Sequence, residues 1–285
     1  MAGPDDLIFC GPAVPHVPLL ERLAPARAAG FAGVSVMPTD IWSLEAAGMS
    51  ASDITRRIAD EGLFVNEVDC IGYWMPSQKA ALSTHRYGDL LTTLTPERVV
   101  QAAASVGARS VVVVDMLLST IDRDEAVEGF ARVCDLAAEE GLLAHIEFVP
   151  FGGIPDLTLG WDIVSAAGRA NGGLTIDSWH LNRSGSTLEQ LAAIPGDKVH
   201  TVQINDAPAT GHGDLLDETE AGRLLPGEGD FDLVGFIRTL DQIGSTAPIG
   251  VEIFSARQKD QPVASVAQQW AQTTRAVLNK ARGLA

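Results

Sequence analysis

The chain repeats one pattern of hydrophobic and polar positions along its length. A short apolar run, rich in β-branched residues, is followed by a loop and then by a longer stretch with helical character. Short continuous apolar runs of this kind indicate strands that are buried on both faces. We predict eight strands, at Leu7–Cys10, Gly33–Val36, Leu63–Asp69, Ser110–Asp115, Leu142–Glu147, Gly173–Asp177, Val199–Ile204 and Ile249–Ile253.

Helical segments alternate with these strands and carry their own end signals. Pro96 after Thr95 and the potential cap Asp122 are typical of helix starts, and glycines stand where helices should end. Glycine suits those positions because it accepts the left-handed conformation of a helix C-cap. Examples of the predicted helices are Val17–Ala29, Ala51–Glu61, Pro96–Val106, Arg123–Glu140, Leu188–Ile194, Phe231–Ile243 and Val263–Ala281, with end glycines Gly30, Gly62, Gly107, Gly141 and Gly244.

Eight strands alternating with eight helical segments predict a single (β/α)8 TIM barrel over residues 1–285. A doubly wound open sheet is the alternative, and it usually has a glycine-rich turn after its first strand. Here the first strand is followed by Cys10-Gly11-Pro12-Ala13, which is not such a turn. No Ser/Gly-rich or Pro-rich linker divides the chain, so we expect one domain.

Two connections are too long to be simple turns. They run from Cys70 to Leu94 and from Asn205 to Asp230, on the side of the barrel where active sites are built. The first is rich in aromatic side chains, which suits a substrate cover. We predict a substrate contact for Trp74 in this connection, with simple packing as the alternative.

Composition and charge exclude several classes of partner. Lys plus Arg number 20 against 37 Asp plus Glu, and a net charge of −17 disfavours nucleic acid and anionic membrane surfaces. No run of about 18 apolar residues could span a bilayer, and the first residues lack the features of a signal peptide. We therefore expect a cytoplasmic protein, acting on a small-molecule substrate, with homo-oligomerisation left open. Three widely spaced cysteines predict reduced thiols rather than a disulfide framework.

The most informative feature is one polar side chain late in each of the last four strands. These residues are Glu147, Asp177, Gln203 and Glu252, and each has apolar neighbours in its strand. Since side chains alternate between faces, the apolar neighbours can pack against outer helices while the polar ones point into the barrel mouth. The four residues are therefore expected to meet at the catalytic face of the barrel.

Three carboxylates in one mouth need a counter-charge, because like charges at short range raise one another's pKa values. Oxygen-rich sites with one amide suit Mg²⁺ or Mn²⁺, with Co²⁺ as an alternative. Pairing with a buried Arg or Lys would also neutralise them, but few basic residues lie in these strands. We predict a divalent-metal site.

At these residues the chain resembles the xylose-isomerase-like barrel superfamily, which includes sugar-phosphate isomerases and epimerases, ketose 3-epimerases, inosose isomerases and dehydratases, and dehydroshikimate dehydratases. The likeness spans nearly the whole chain. It is most specific at Ile146-Glu147, Asp177-Ser178-Trp179-His180, Val202-Gln203-Ile204-Asn205-Asp206, the segment from Arg223 to Gly229, and Glu252. The resemblance implies that Glu147, Asp177, Gln203 and Glu252 are the metal ligands. Many epimerases carry His at the place of Gln203, and Gln there looks more like the dehydroshikimate dehydratases.

Two further residues are candidates for the chemistry. His180 lies three residues after Asp177, and the resemblance implies a substrate ligand or an acid/base; a packed histidine is the alternative. Arg223 is similar to an Arg that reaches the pocket and binds substrate, and its guanidinium is suited to a carboxylate or phosphate. The alternative for Arg223 is a salt bridge to Asp217, Glu218 or Glu220.

We predict a metal-dependent isomerase or epimerase that removes a proton next to the carbonyl of a keto-sugar or keto-polyol and forms an enediolate. The catalytic candidates are Glu147, Glu252 and His180, and the substrate-binding candidates are His180, Arg223 and Trp74. A lyase similar to dehydroshikimate dehydratase is the alternative, supported by Gln203. A barrel that only binds its ligand is a weaker alternative, because the set of polar strand ends is intact.

Overall fold

Eight parallel strands form one closed barrel in the computed structural model, which describes residues 2–211 and 213–284. Each strand pairs with its neighbour in chain order, and β8 closes the barrel against β1. The single-domain prediction also covers Met1, His212 and Ala285, which lie outside the described residues. The strands are β1 (Leu7–Cys10), β2 (Gly33–Val36), β3 (Phe64–Ile71), β4 (Ser110–Val114), β5 (Leu143–Glu147), β6 (Gly172–Asp177), β7 (Val199–Ile204) and β8 (Ile249–Val251).

Helices surround this barrel and cover the outward face of its strands. Apolar strand residues such as Ile146, Ile176 and Val202 are buried in the same hydrophobic core as the inner faces of the helices. The helices are α1 (Leu19–Ala28), α2 (Pro38–Ala46), α3 (Ala51–Asp60), α4 (Lys79–Leu82), α5 (Gly88–Thr93), α6 (Pro96–Ser105), α7 (Arg123–Glu139), α8 (Leu157–Ala167), α9 (Ser178–Arg183), α10 (Leu188–Leu191), α11 (Leu215–Ala221), α12 (Leu233–Gln242) and α13 (Val263–Arg282).

The predicted barrel and its strands are confirmed, with ends that differ by two residues at most. The five predicted helix-ending glycines all have positive φ angles, as a left-handed C-cap requires. Asp122 caps α7 by accepting a hydrogen bond from the backbone N–H of Glu125, whereas the side chain of Thr95 makes no capping hydrogen bond. Helices α2 and α8 were not among the predicted helices named above, but both are formed in the structure.

The interior of the barrel below its mouth is polar. His145 of β5 has its ring nitrogens 2.6 Å from Thr175 Oγ1 and 3.0 Å from Ser110 Oγ. Glu67 of β3 accepts a hydrogen bond from the Thr201 hydroxyl at 2.6 Å. These side chains are fully buried, so hydrogen bonding within this layer replaces their contacts with water.

The two long connections carry short helices that lie over the barrel mouth. The connection after β3 contains α4 and α5, and the connection after β7 contains α11. Arg86 pairs with Glu220 of α11, and the Tyr87 hydroxyl donates to the same carboxylate at 2.7 Å. The two connections are thereby tied together. Across residues 2–211 and 213–284, the helices are too short or too polar for any to cross a membrane.

Candidate active site at the barrel mouth

Four polar side chains from consecutive strands converge at the mouth, as the sequence pattern predicts. Glu147 ends β5, Asp177 ends β6, Gln203 lies in β7, and Glu252 follows β8 directly. The strand register sets Asp177 beside Gln203 and Gln203 beside Gly250, so the side chains are fixed by neighbouring ladders. All four are at least 93% buried.

Several acceptors in this group lack a hydrogen-bond donor. Gln203 Nε2 donates to Glu252 Oε1 at 3.2 Å, which leaves the Gln203 carbonyl oxygen without a partner. Glu147 Oε1 also has no hydrogen bond. Buried acceptors without partners are costly unless a cation or a donor faces them. This donor set, carboxylate and amide oxygens, fits a hard divalent cation.

Asp177 is held in place by its surroundings. Its Oδ1 accepts hydrogen bonds from the backbone N–H groups of Trp179 at 2.6 Å and His180 at 2.9 Å, which makes it the N-cap of α9. Its Oδ2 accepts from Asn205 Nδ2 at 2.8 Å and from Arg223. Asn205 is not among the site residues predicted from the sequence, although this residue stands at the end of β7 within the motif Val202-Gln203-Ile204-Asn205-Asp206.

Arg223 reaches into the site and neutralises part of its negative charge. The guanidinium donates from one nitrogen to Asp177 Oδ2 at 3.1 Å and to Glu252 Oε2 at 3.0 Å, and from the other to Thr219 Oγ1 at 2.8 Å. It makes no salt bridge to the acidic residues of α11. A buried arginine from a loop therefore pairs with two of the carboxylates. This pairing was not predicted, because the sequence argument considered only basic residues within the strands.

His180 stands between Glu147 and Arg223. Its Nε2 is 3.4 Å from Glu147 Oε1 and 3.4 Å from a guanidinium nitrogen of Arg223, while its Nδ1 has no partner. The pKa of His180 is lowered to about 3, mainly by burial; Asp177 opposes this shift and Arg223 adds to it. The imidazole is therefore neutral near pH 7 and offers one donor and one acceptor.

Burial and mutual repulsion act on the carboxyl groups in the opposite direction. Burial raises the pKa of Glu147 well above its usual range, and Glu252, Asp69 and Asp177 add to the rise. The pKa of Glu252 is raised to about 8 by burial, although Arg223 opposes the shift. Asp69, next to Glu67, has its pKa raised to about 7. The site thus holds more carboxyl groups than one arginine can neutralise.

The ligand atoms of Glu147, Asp177 and His180 all lie within 4.8 Å of one another, a spacing compatible with a shared cation. Glu252 and Gln203 are hydrogen-bonded to each other beside this group. Of the predicted ligand set, Glu147 and Asp177 belong to the close group, and His180 stands there as well. The assignment of all four predicted residues as ligands stays a prediction.

A cavity of about 330 Å³ opens above these residues. His180, Arg223, Glu147 and Glu252 line it, together with Asp69 of β3. Trp74 does not line it: its indole N–H donates to the Val114 carbonyl at 3.0 Å, and its ring packs against Gly129 of α7. The geometry gives the predicted substrate contact of Trp74 no support.

Comparison with known proteins places the chain in a family. The sequence model of the xylose isomerase-like TIM barrel family matches residues 23–277, and the chain belongs to this family. The resemblance seen in the strand-end motifs is thereby confirmed.

Curated relatives of the chain are enzymes of two kinds. A 3-dehydroshikimate dehydratase of Pseudomonas aeruginosa is 28% identical over 247 residues, which are 83% of this chain and 36% of the relative. An inosose isomerase of Bacillus velezensis is 30% identical over 190 residues, 63% of this chain and 66% of the relative. The chain therefore spans about a third of the length of the dehydratase that it matches.

Solved structures share the same barrel. The IOLI protein, solved with a bound zinc atom, superposes with a TM-score of 0.83 at 20% identity over 96% of this chain and 98% of its own. An L-ribulose 3-epimerase superposes with a TM-score of 0.72 at 18% identity over 99% of this chain and 96% of its own. At these identities the likeness establishes the fold.

Proposed function

We propose that this chain is a divalent-metal-dependent enzyme that removes a proton next to the carbonyl of a neutral keto-sugar or keto-polyol and returns it to isomerise or epimerise the substrate. The observation that carries the proposal is the group of buried carboxyl and amide oxygens at the mouth, in which Glu147 Oε1 and Gln203 Oε1 lack partners. Enzymes named as isomerases, epimerases and a dehydratase among its relatives and structural neighbours support the same class of chemistry.

In this proposal Glu147, Asp177, Gln203 and Glu252 hold the cation. A bound divalent cation would polarise the substrate carbonyl and stabilise the negative charge that develops on its oxygen. Glu147 and Glu252 stand on opposite sides of Asp177 and Gln203 in barrel order, so they are the candidates for taking the proton and returning it. Neutral His180 and the guanidinium of Arg223 would orient the hydroxyl groups of the substrate.

The charge of the cavity favours a neutral substrate. Among the described residues that line it, Arg223 is the cationic side chain with a permanent charge, and it is already paired with Asp177 and Glu252. Asp69 and Glu220 add further acidic groups to the lining. A substrate carboxylate would meet repulsion without a free guanidinium or ammonium group to bind it.

Dehydration is the second candidate function. It is favoured by Gln203, whose amide stands where the resemblance expects His in many epimerases. Both functions begin with loss of a proton next to a carbonyl, and they differ in whether a β-hydroxyl then leaves.

Metal analysis followed by a substrate panel in deuterated water tests the proposal. With Mn²⁺ added, we expect uptake of solvent deuterium next to the carbonyl of a neutral ketose or inosose, without loss of water. Loss of water from dehydroshikimate, followed as the absorbance of the aromatic dihydroxybenzoate that forms, would instead assign a dehydratase. The isosteric Glu147→Gln variant should lose the exchange. Absence of exchange from every compound, with the metal bound, would refute the proposal.

A further inference from the structure

The cavity has two unlike halves. Its floor is polar and consists of strand-end groups, among them Glu147, His180 and Glu252. The opposite wall comes from α5, α11 and the segments that follow β4 and β5, and most of its side chains are apolar. The volume of about 330 Å³ is shared between these two halves.

Segment 87–94, which contains α5, gives the wall its character. Tyr87, Leu90, Leu91 and Leu94 recur at the spacing of one helix face, and all four line the cavity. A stripe of this kind normally packs against the core of a protein. Leu91 and Leu94 also belong to the hydrophobic core, and the part of the stripe that the core leaves uncovered faces the space above the catalytic floor.

The wall is held firmly in its place. Backbone N–H groups of Gly72 and Tyr73 donate to the Leu94 carbonyl at 3.1 and 3.2 Å, which fixes the end of the segment to the barrel. The side chain of Leu91 packs so closely on Gly72 that a Cβ there would lie 2.5 Å from it. At the other end, Tyr87 is bonded to Glu220. The stripe therefore faces the cavity as part of the folded structure.

Few side chains of the wall can form hydrogen bonds with the hydroxyl groups of a substrate. Segment 87–94 and α11 contribute three polar side chains to the lining, Tyr87, Thr219 and Glu220, and each of them is already hydrogen-bonded. Sugar hydroxyls turned toward the leucines would lose their hydrogen bonds to water without gaining partners. An apolar group at the same place would be favoured, because its binding removes apolar surface of both the group and the leucines from water.

We propose that the substrate of this site carries a neutral apolar group, of the size of an aromatic ring, attached to its keto-polyol part. The inference rests on the proposed function, since the floor is taken to bind the carbonyl and its neighbouring hydroxyls. The apolar group lies against segment 87–94 and Leu216 of α11. Glu220 lies in the same half of the lining, and because Arg86 is paired with it, that arginine is not free to bind an anionic group.

The test compares a matched pair of probes, the methyl and phenyl glycosides of 3-keto-glucopyranose. Binding to the protein with Mn²⁺ is measured by calorimetry, and hydrogen exchange next to the carbonyl is followed by nuclear magnetic resonance in deuterated water. We expect the phenyl compound to bind at least about 10-fold more tightly, the lower end of what one buried methylene contributes in an apolar pocket.

Two neighbouring leucines of α11 provide a variant and its control. Leu216 lines the cavity and Leu215 does not, and both are partly exposed and lie outside the hydrophobic core of the described chain. Leu216→Gln should lower the ratio of phenyl to methyl affinity toward one, whereas Leu215→Gln should keep the wild-type ratio. Thermal midpoints of both variants verify that they fold.

The two proposals fail in different ways. Equal affinities for the two probes, no binding of either, or a ratio that Leu216→Gln leaves unchanged would overturn the apolar half of the site. Exchange on a small ketose together with equal affinities would leave the proposed function standing. Tight, Leu216-dependent binding of the phenyl compound without exchange in any keto compound would instead sink the proposed function.

Discussion

Replacing Arg223 by Gln removes the positive charge that two buried carboxylates now share. The guanidinium is 1% exposed and bonds to Asp177 at 3.1 Å and to Glu252 at 3.0 Å. Gln keeps a polar side chain but no charge, so the carboxyl groups of the floor would face one another without a counter-ion. We expect the protein free of metal to lose stability, and added Mn²⁺ to restore much of the loss.

The magnitude follows from burial. Breaking a buried ion pair by removing one partner costs about 3–5 kcal/mol. An unfolding entropy of ~2.1 cal/mol/K per residue gives about 0.6 kcal/mol/K for 285 residues, so a loss of about 4 kcal/mol lowers the thermal midpoint by about 7 °C. The same substitution removes repulsion of a cation, so Mn²⁺ should bind about 10-fold or more tightly, since ~1.4 kcal/mol is a factor of ten in affinity.

Thermal unfolding by calorimetry, with chelator and with Mn²⁺, measures both effects. Arg169→Gln is the control, because Arg169 pairs with Asp135 at an exposed site and its loss should change the thermal midpoint little. Arg223→Lys should fall between wild type and Arg223→Gln, since it keeps the charge and loses the planar fork. If Arg223→Gln is as stable as wild type without metal, or if Mn²⁺ stabilises both proteins equally, the idea of competing counter-charges is wrong.

Three further predictions address single residues. Gln203→His should still bind metal but shift preference toward Co²⁺ or Zn²⁺ in competition titrations, because imidazole is a softer donor; an unchanged preference would place Gln203 outside the coordination sphere. His180→Ala should keep metal and fold but lose about 10²-fold in turnover, and near-normal turnover would return His180 to a packing role. Burial lowers the pKa of His200 to about 3, and the charges of Arg109 and Lys198 contribute to this shift. As the pH falls below 6.5, this histidine therefore becomes protonated in the unfolded chain but stays neutral in the folded chain. The contribution of His200 to stability should fall by about 2 kcal/mol between pH 7 and pH 5, and His200→Leu should lose that part of the pH dependence in thermal unfolding; an equally steep dependence in the variant would contradict the assignment.

The sequence predicted the barrel well because strands and their ends are local signals. Apolar runs set all eight strands, and helix-ending glycines such as Gly107 and Gly141 mark positions where only a left-handed conformation fits. Helix α8 was missed although Asp156 caps its start and Gly168 follows its end. Its residues are mostly apolar, so the contrast between faces that identifies a helix is weak there.

The part of the candidate site that lies at the strand ends could be predicted from the sequence. Side-chain alternation was enough to bring Glu147, Asp177, Gln203 and Glu252 together. The position of Arg223 was left open, because its side chain enters from a loop that is fixed by a backbone pairing between Asp206 and Leu224. Loop geometry of this kind depends on contacts far apart in the chain, which local patterns do not contain.

Chemistry and selectivity therefore rest on different parts of the fold. The strand ends are fixed by hydrogen-bonded neighbours on both sides, and in the proposed function their carboxyl groups hold the cation whichever substrate is bound. The leucines of the opposite wall belong to the two long connections, which the pairing of Arg86 and Tyr87 with Glu220 ties together, and these leucines are not part of the strand-end group. Substitutions in those connections can change the size and polarity of the wall without disturbing the floor. An isomerase and a dehydratase both stand among the named relatives, so under the proposed function the identity of the substrate is to be sought in segment 87–94 and α11 rather than in the strand ends.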